Sequence, residues 1–212
     1  VLDLGVPSDN TVTTAKLSDS SVSLAKLTAT GTKDATTFLR GDNTFDTPPL
    51  GGITEADLWR KNATQAISAS TDTVVSGNWE RDDFHFDKIG TGMTESSGVF
   101  TFPSTGIWRI DYQAYMYGFG SNGSTSVQNV QIQIEATYNN STYVDLSVSD
   151  VPGHTNTGVR YVTQNTFAML NVTDVSNYKA RFKAYIQGEA GTLYGHTTTN
   201  NTMAMFTRLG DT

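Results

Sequence analysis

The densest set of groups that could do chemistry in this sequence is acidic. Glu80, Asp82, Asp83 and Asp87 fall within one short stretch, and carboxylates folded back on one another could hold Ca²⁺. The spacing is not that of an EF-hand loop, and the stretch reads as a solvated acidic turn. A glycosidase pair would be decided by the separation of two carboxyl groups, which a sequence does not contain. The three histidines stand apart from one another. His85 alternates with Phe84 and Phe86 and reads as structural, whereas His154 and His196 fall in long connections, where threefold symmetry could gather them around a metal. There is no serine-nucleophile signature and no phosphate- or dinucleotide-binding glycine pattern. The chain has no cysteine, which removes disulfides and thiolate metal sites. Catalysis is not expected, and neither a cofactor nor a metal is assigned.

What remains is binding. Aromatic rings beside amides and hydroxyls suit carbohydrate, because ring faces stack on sugar C–H surfaces while amides meet hydroxyl groups. Tyr117, Phe119, Asn122, His154, Asn156, Tyr194 and His196 supply such groups, although each could equally serve local packing. The formal net charge of −7 argues against an electrostatic grip on nucleic acid or an anionic membrane. No apolar run approaches membrane-spanning length, so membrane insertion is not expected either. Val1 is not a natural start, and the chain reads as a fragment.

The elements that must hold these residues are strands. Only 17 % of the residues are charged, and the polarity comes from Thr, Ser, Asn and Gly, which suits strands and turns. The stretch Gly98–Met116 is strand, tight turn, strand: Phe100 and Phe102 alternate with smaller residues, Pro103 to Gly106 supply the turn, and Trp108, Ile110, Tyr112, Ala114 and Met116 share one face. Eight main strands follow from such alternation, at Thr64–Ser70, Gly98–Phe102, Gly106–Tyr117, Val127–Tyr138, Tyr143–Ser149, Val159–Val172, Tyr178–Gln187 and Thr202–Leu209. The fourth and seventh are apolar on one face only, which predicts an outer sheet with a wet side. The third, sixth and eighth are apolar on both. Tyr115, Phe167, Met169, Met203 and Met205 lie on their second face, and another subunit is the economical cover for it. Short and long connections alternate, so the long ones gather at one end, pointing away from the N-terminal segment, where recognition is expected.

Residues 1–31 form no globular domain. TVTTAKL at 11–17 returns as SVSLAKL at 21–27, a repeat too poor in large apolar groups to bury a core alone. It reads either as a disordered linker or as the end of an intertwined multi-chain stalk. Residues 32–61 read as a turn with a small apolar clasp (Phe38, Leu39, Phe45), a linker and a neck. Arg40-Gly41-Asp42 spells an integrin tripeptide, but Gly-Asp-Asn in a turn accounts for it locally. Thr54-Glu55-Ala56-Asp57 resembles a capping box and predicts a short neck helix through Leu58 and Trp59. Residues 62–212 form the head. Six Asn-x-Ser/Thr sequons, at Asn62, Asn122, Asn139, Asn140, Asn171 and Asn200, read as chance in a chain so rich in Asn and Thr.

The run FDKIGTGMTESSGVFTFPSTGIWRI, together with Phe206 in MAMFTRL, resembles the jelly-roll head shared by complement globular heads and the tumour necrosis factor superfamily. That resemblance implies an all-β antiparallel jelly-roll sandwich of two sheets and about eight to ten strands, assembled as a homotrimer around its inner sheet. The TAKL repeats and TTFLRGDNTF are similar to segments of bacteriophage tail fibres, and ITEADLWR…NWERDD…GTGM resembles heads of structural proteins from marine phages. These imply a virion appendage that joins other virion proteins through its stalk and meets a host surface glycan or protein receptor through its head. The alternative is a capsid-decorating or appendage protein without primary receptor binding. The third possibility, an enzyme acting on host polysaccharide, has no motif behind it.

Overall fold

In the computed structural model, which describes residues 28–48, 51–119, 129–152 and 160–212 together with Gly5, Thr13, Ala15, Leu17, Ser23 and Lys26, every element assigned is a β-strand. The chain divides into two units, Val1–Gly52 and Ile53–Thr212. Most residues of the TAKL repeats lie outside the described ones.

In the first unit β1 (Phe38–Leu39) pairs antiparallel with β2 (Phe45–Asp46). The Arg-Gly-Asp tripeptide is the turn between them: Arg40 N–H donates to Thr44 O at 2.8 Å, and Asn43 N–H to Arg40 O at 3.0 Å. The Asp42 carboxylate accepts from Thr44 N–H at 3.1 Å. The expected apolar clasp does not close. Phe38 and Leu39 are exposed, because among the described residues two strands of two residues each have no second layer to pack on.

The second unit contains β3 (Ala56–Lys61), β4 (Gln65–Ile67), β5 (Thr73–Val74), β6 (Trp79–Arg81), β7 (Lys88–Ile89), β8 (Thr94–Ser96) and β9 (Val99–Thr101). The long strands follow: β10 (Gly106–Phe119), β11 (Asn129–Thr137), β12 (Tyr143–Pro152), β13 (Arg160–Val172) and β14 (Lys179–Ile186), then β15 (Gly191–Leu193) and β16 (Met203–Gly210). One sheet of eight strands runs β4-β15-β10-β16-β3-β6, with β13 on β10 and β7 on β3. The other, of six, runs β12-β11-β14-β9-β8, with β5 on β14. All strand pairs are antiparallel. The expected partition holds: the two-faced strands share the larger sheet, and the one-faced strands share the smaller.

The layers meet on an aromatic centre. Phe100 is fully buried, with its ring centroid 5.5 Å from Trp59, 5.4 Å from Trp79, 5.5 Å from Phe182 and 5.0 Å from Phe206. Most of these pairs are edge-on, the arrangement ring quadrupoles favour. The outer face of β11 and β14, expected to be wet, is roofed instead. Glu135 and Lys183 are buried there, with Arg181 Nε 2.5 Å from Glu135, Lys183 Nζ 3.2 Å from Glu135 and 3.0 Å from Asp72. The Arg181 guanidinium lies 3.8 Å from the centre of the Tyr143 ring.

The neck helix is absent: those residues are strand β3, placed between β16 on one side and β6 and β7 on the other. As a strand it places Asp57, Trp59 and Lys61 on one face and Leu58 and Arg60 on the other. The acids expected to cap a helix act across the chain. Glu55 accepts from Thr91 N–H at 3.1 Å and Gly92 N–H at 3.0 Å. Asp57 accepts from Met93 N–H at 2.6 Å and grips Arg81 at 2.8 and 3.0 Å.

The pairs Gly106↔Val172, Ala56↔Thr207 and Thr137↔Lys179 mark one end of the sandwich. Phe119↔Arg160, Asn129↔Pro152 and Val130↔Ile186 mark the other. The chain enters the unit at the first end. The long connections 120–128, 153–159 and 187–202 leave from the second.

Candidate functional site

Near the long-connection end, β10 carries Tyr115 and Tyr117 on the outward face of the larger sheet, and the register places Tyr161 of β13 directly opposite Tyr117. Beyond β15, Tyr194 N–H donates to Tyr115 O at 2.8 Å and His196 N–H to Lys61 O at 2.8 Å, so residues 194–196 run along the sheet as a wall. Gly195 is required there: a Cβ would lie 2.2 Å from Ala63 O. Together Tyr115, Tyr117, Tyr161, Tyr194, His196, Thr199 and Asn201 line a groove of about 520 Å³. Its floor is nearly flat, with the Tyr161 ring 19° from the Tyr115 plane and 14° from the Tyr117 plane. Its wall stands upright, Tyr194 crossing the same two rings at 71° and 66°. His196 stacks beyond Tyr194 at 6.4 Å. Its Nδ1 accepts from Thr198 N–H at 3.2 Å, which leaves the proton of the neutral ring on Nε2.

The lip is tied down from beneath. Gln113 Nε2 donates to Asn200 O at 3.2 Å and Asn201 O at 2.9 Å, and Asn200 Nδ2 donates to Asp82 Oδ2 at 2.7 Å. Asp82 belongs to the acidic cluster, which is the expected solvated turn only in part: Asp83 and Asp87 are exposed, and Asp82 is not. Asp82 is fully buried, and it shares with Glu80 and Asp83 the guanidinium of buried Arg60. The expectation failed for Asp82 because Arg60 lies twenty residues upstream of Glu80 in sequence and only β3–β6 pairing brings it in. Burial alone would push the Asp82 carboxyl up. Hydrogen bonds from Asn200, His85 and Phe84 outweigh that and bring it down to about 2. Lys61, on the opposite face of β3, is pushed down to about 8 by burial, offset in part by Glu95. Its Nζ donates to Ser76 O at 2.9 Å and to Gly77 O.

Of the residues expected to bind, the structure brings together Tyr117, Tyr194 and His196. Asn122, His154 and Asn156 lie outside the described residues, as does the side chain of Phe119. Tyr115, expected at a subunit interface, lines the same groove. Tyr161, 63 % exposed, and Thr199 and Asn201 were not anticipated. Tyr161 shares the parity of Phe167 and Met169, which is the signal that could have found it. Further along the same face, Phe167 and Met169 are 57 % and 49 % exposed, with the Arg109 guanidinium 4.9 Å from the Phe167 ring centre. Met203 and Met205 join Asp111, Gln113 and Asn165 around a second, apolar depression of about 310 Å³.

No protein-family model and no curated protein matches this chain by sequence. By structure it is similar to Eiger TNF from S. frugiperda, with TM-score 0.51 and 10 % identity over 74 % of this chain and 93 % of that one. It is likewise similar to murine APRIL, with TM-score 0.50 and 11 % identity over 73 % and 98 %. PRD1 vertex protein P5 aligns at TM-score 0.47 and 16 % identity over 76 % and 100 %. At such identities the likeness is one of fold, and the fold assignment rests on the first two: the second unit is an antiparallel jelly-roll β-sandwich.

Proposed function

We propose that the chain is part of a homotrimeric bacteriophage fibre whose jelly-roll head attaches to a glycan on the host surface, with residues 1–31 forming a stalk that joins other virion proteins. The observation that carries this reading is the groove: four tyrosines and a histidine converge at the end of the sandwich where the long connections leave. Flat ring faces would stack on the apolar side of a sugar, and Asn201, Thr199 and His196 would meet its hydroxyl groups. Trimerisation draws its support from the exposed Phe167 and Met169 on the outward face of the larger sheet, since an antiparallel sheet apolar on both faces needs cover on the second. Three copies turn a weak single site into useful avidity.

The test is adsorption. Purified chain should bind susceptible cells and compete with virus, and Tyr117→Ala with Tyr194→Ala should abolish both while leaving the circular dichroism spectrum unchanged. Failure of the unaltered chain to bind or compete would end the receptor reading. A position for the protein on the capsid rather than the tail would favour the decorative alternative.

A further inference from the structure

Guanidinium groups cover several aromatic rings of this chain. Arg81 lies over Trp59 at 4.6 Å, Arg109 over Phe167 at 4.9 Å and Arg181 over Tyr143 at 3.8 Å. The face of an aromatic ring is the negative pole of its quadrupole, so each of these pairs is attractive. The tyrosines of the groove differ. Among the described residues no lysine or arginine lies over Tyr115, Tyr117, Tyr161 or Tyr194, and none lines the groove. The chain carries 21 acidic against 14 basic residues, so its field favours an incoming cation over an anion.

The geometry also selects the kind of cation. The ring centres of Tyr115, Tyr117 and Tyr161 are 6.4, 6.2 and 6.1 Å apart, a nearly equilateral floor. Tyr194 stands across it, its centre 5.5 Å from Tyr115 and 5.8 Å from Tyr117. A compact group in this corner meets aromatic rings from two directions at once. Among the described residues no carboxylate lines the corner, so a primary ammonium or a guanidinium would exchange its hydration for neutral acceptors at best. A quaternary ammonium has no N–H to satisfy. It carries its charge on a surface of methyl groups, and ring faces are sufficient for it. We infer that the corner between Tyr194 and the tyrosine floor binds a quaternary ammonium group of the choline type, borne by the host glycan as a substituent. The sugar that carries it meets Thr199, Asn201 and the Nε2–H of His196 along the lip. This inference rests on the receptor reading above and names the group recognised.

Full chain titrated with choline chloride should bind it, as read by calorimetry and by saturation transfer to the choline methyl resonance. The neutral tert-butyl analogue of choline keeps the shape without the charge, and ethanolamine keeps the charge with N–H groups. Each should bind at least about tenfold more weakly. Tyr161→Leu, which keeps bulk and removes a ring face, should lower choline affinity at least about fivefold, and Tyr161→Phe should retain it. Tyr161 is 63 % exposed, so the fold bears either change, which circular dichroism verifies. Immobilised polysaccharide bearing phosphocholine should hold the chain, and free choline should elute it. Tighter binding to phosphatidylcholine vesicles than to that polysaccharide would overturn the glycan as the bearer of the group. Equal affinity for choline and its neutral analogue, or no choline binding by a chain that adsorbs to susceptible cells, would overturn the inference and leave the receptor reading standing. Choline binding by a chain that adsorbs to no cell would do the reverse, and absence of both would overturn both.

Discussion

Asp82 serves three partners with one carboxylate: the Arg60 guanidinium, the N–H groups of its own turn, and the Asn200 amide at the lip of the tyrosine groove. Its pKa of about 2 in the folded chain lies below the ordinary 3.8. The unfolded chain therefore binds the proton more readily, and the stabilisation is complete above pH 3.8 and lost as pH falls towards 2. The shift corresponds to about 2 kcal/mol at neutral pH. Asp82→Asn should cost about 2 kcal/mol at pH 7, the stabilisation that the shift represents, since buried Arg60 keeps Glu80 and Asp83 as charge partners. It should also flatten the acid limb of a stability–pH curve measured by urea unfolding, and a variant that keeps the unaltered acid limb would refute this account. At this scale the sequence was partly legible. Tyr194 and His196 could be found as aromatic groups in a long connection, and Tyr117 at the strand end beside one. Tyr161 sits inside a strand, where its parity with Phe167 and Met169 sets it on the second face, but only the register places it against Tyr117.

β3 shows how an element escapes a local reading. Thr54-Glu55-Ala56-Asp57 satisfies a helix-capping pattern, and six residues of strand are too few for alternation to outweigh it. What decides is remote: the N–H groups of Thr91, Gly92 and Met93 need acceptors, and Glu55 and Asp57 supply them. The glycine of that loop is part of the fit. Gly92 has φ of +76°, and a Cβ there would lie 2.8 Å from Asp57 Oδ2 and 2.8 Å from Lys88 Cδ. Gly77 has φ of +62° with nothing within 4 Å, so it isolates the cost of the backbone alone, about 1–2 kcal/mol. Gly92→Ala should exceed Gly77→Ala by about 1–3 kcal/mol in thermal or urea unfolding. Equal costs would mean that the carboxylate cradle tolerates a methyl group. The long strands needed no such remote knowledge, because eight or more alternating residues leave few registers that bury one face.

At the scale of the molecule, the partition of strands between sheets was legible from parity alone. β10, β13 and β16 carry apolar groups on both faces and share one sheet; β11 and β14 carry them on one and share the other. The boundary of the jelly-roll unit was not legible, since a helix at 54–59 would have placed its start at Asn62. The compact unit begins at Ile53, and the difference is β3 with its flanks. Removing it would leave β16 paired on one side only, with β10, and take from β6 and β7 the strand they pair with. It would also take Trp59 from the Phe100 cluster and Arg60 from Asp82. Loss of Trp59 alone is a large aromatic deletion of about 3–5 kcal/mol, a large fraction of the about 5–15 kcal/mol that holds an ordinary domain together. A chain beginning at Ile53 should therefore unfold in one cooperative transition seen by circular dichroism. One beginning at Asn62 should show no near-ultraviolet signal and no transition. A cooperative transition from the shorter chain would mean that the sandwich closes without β3, and that the carboxylates of Glu55 and Asp57 are dispensable to the loop they hold.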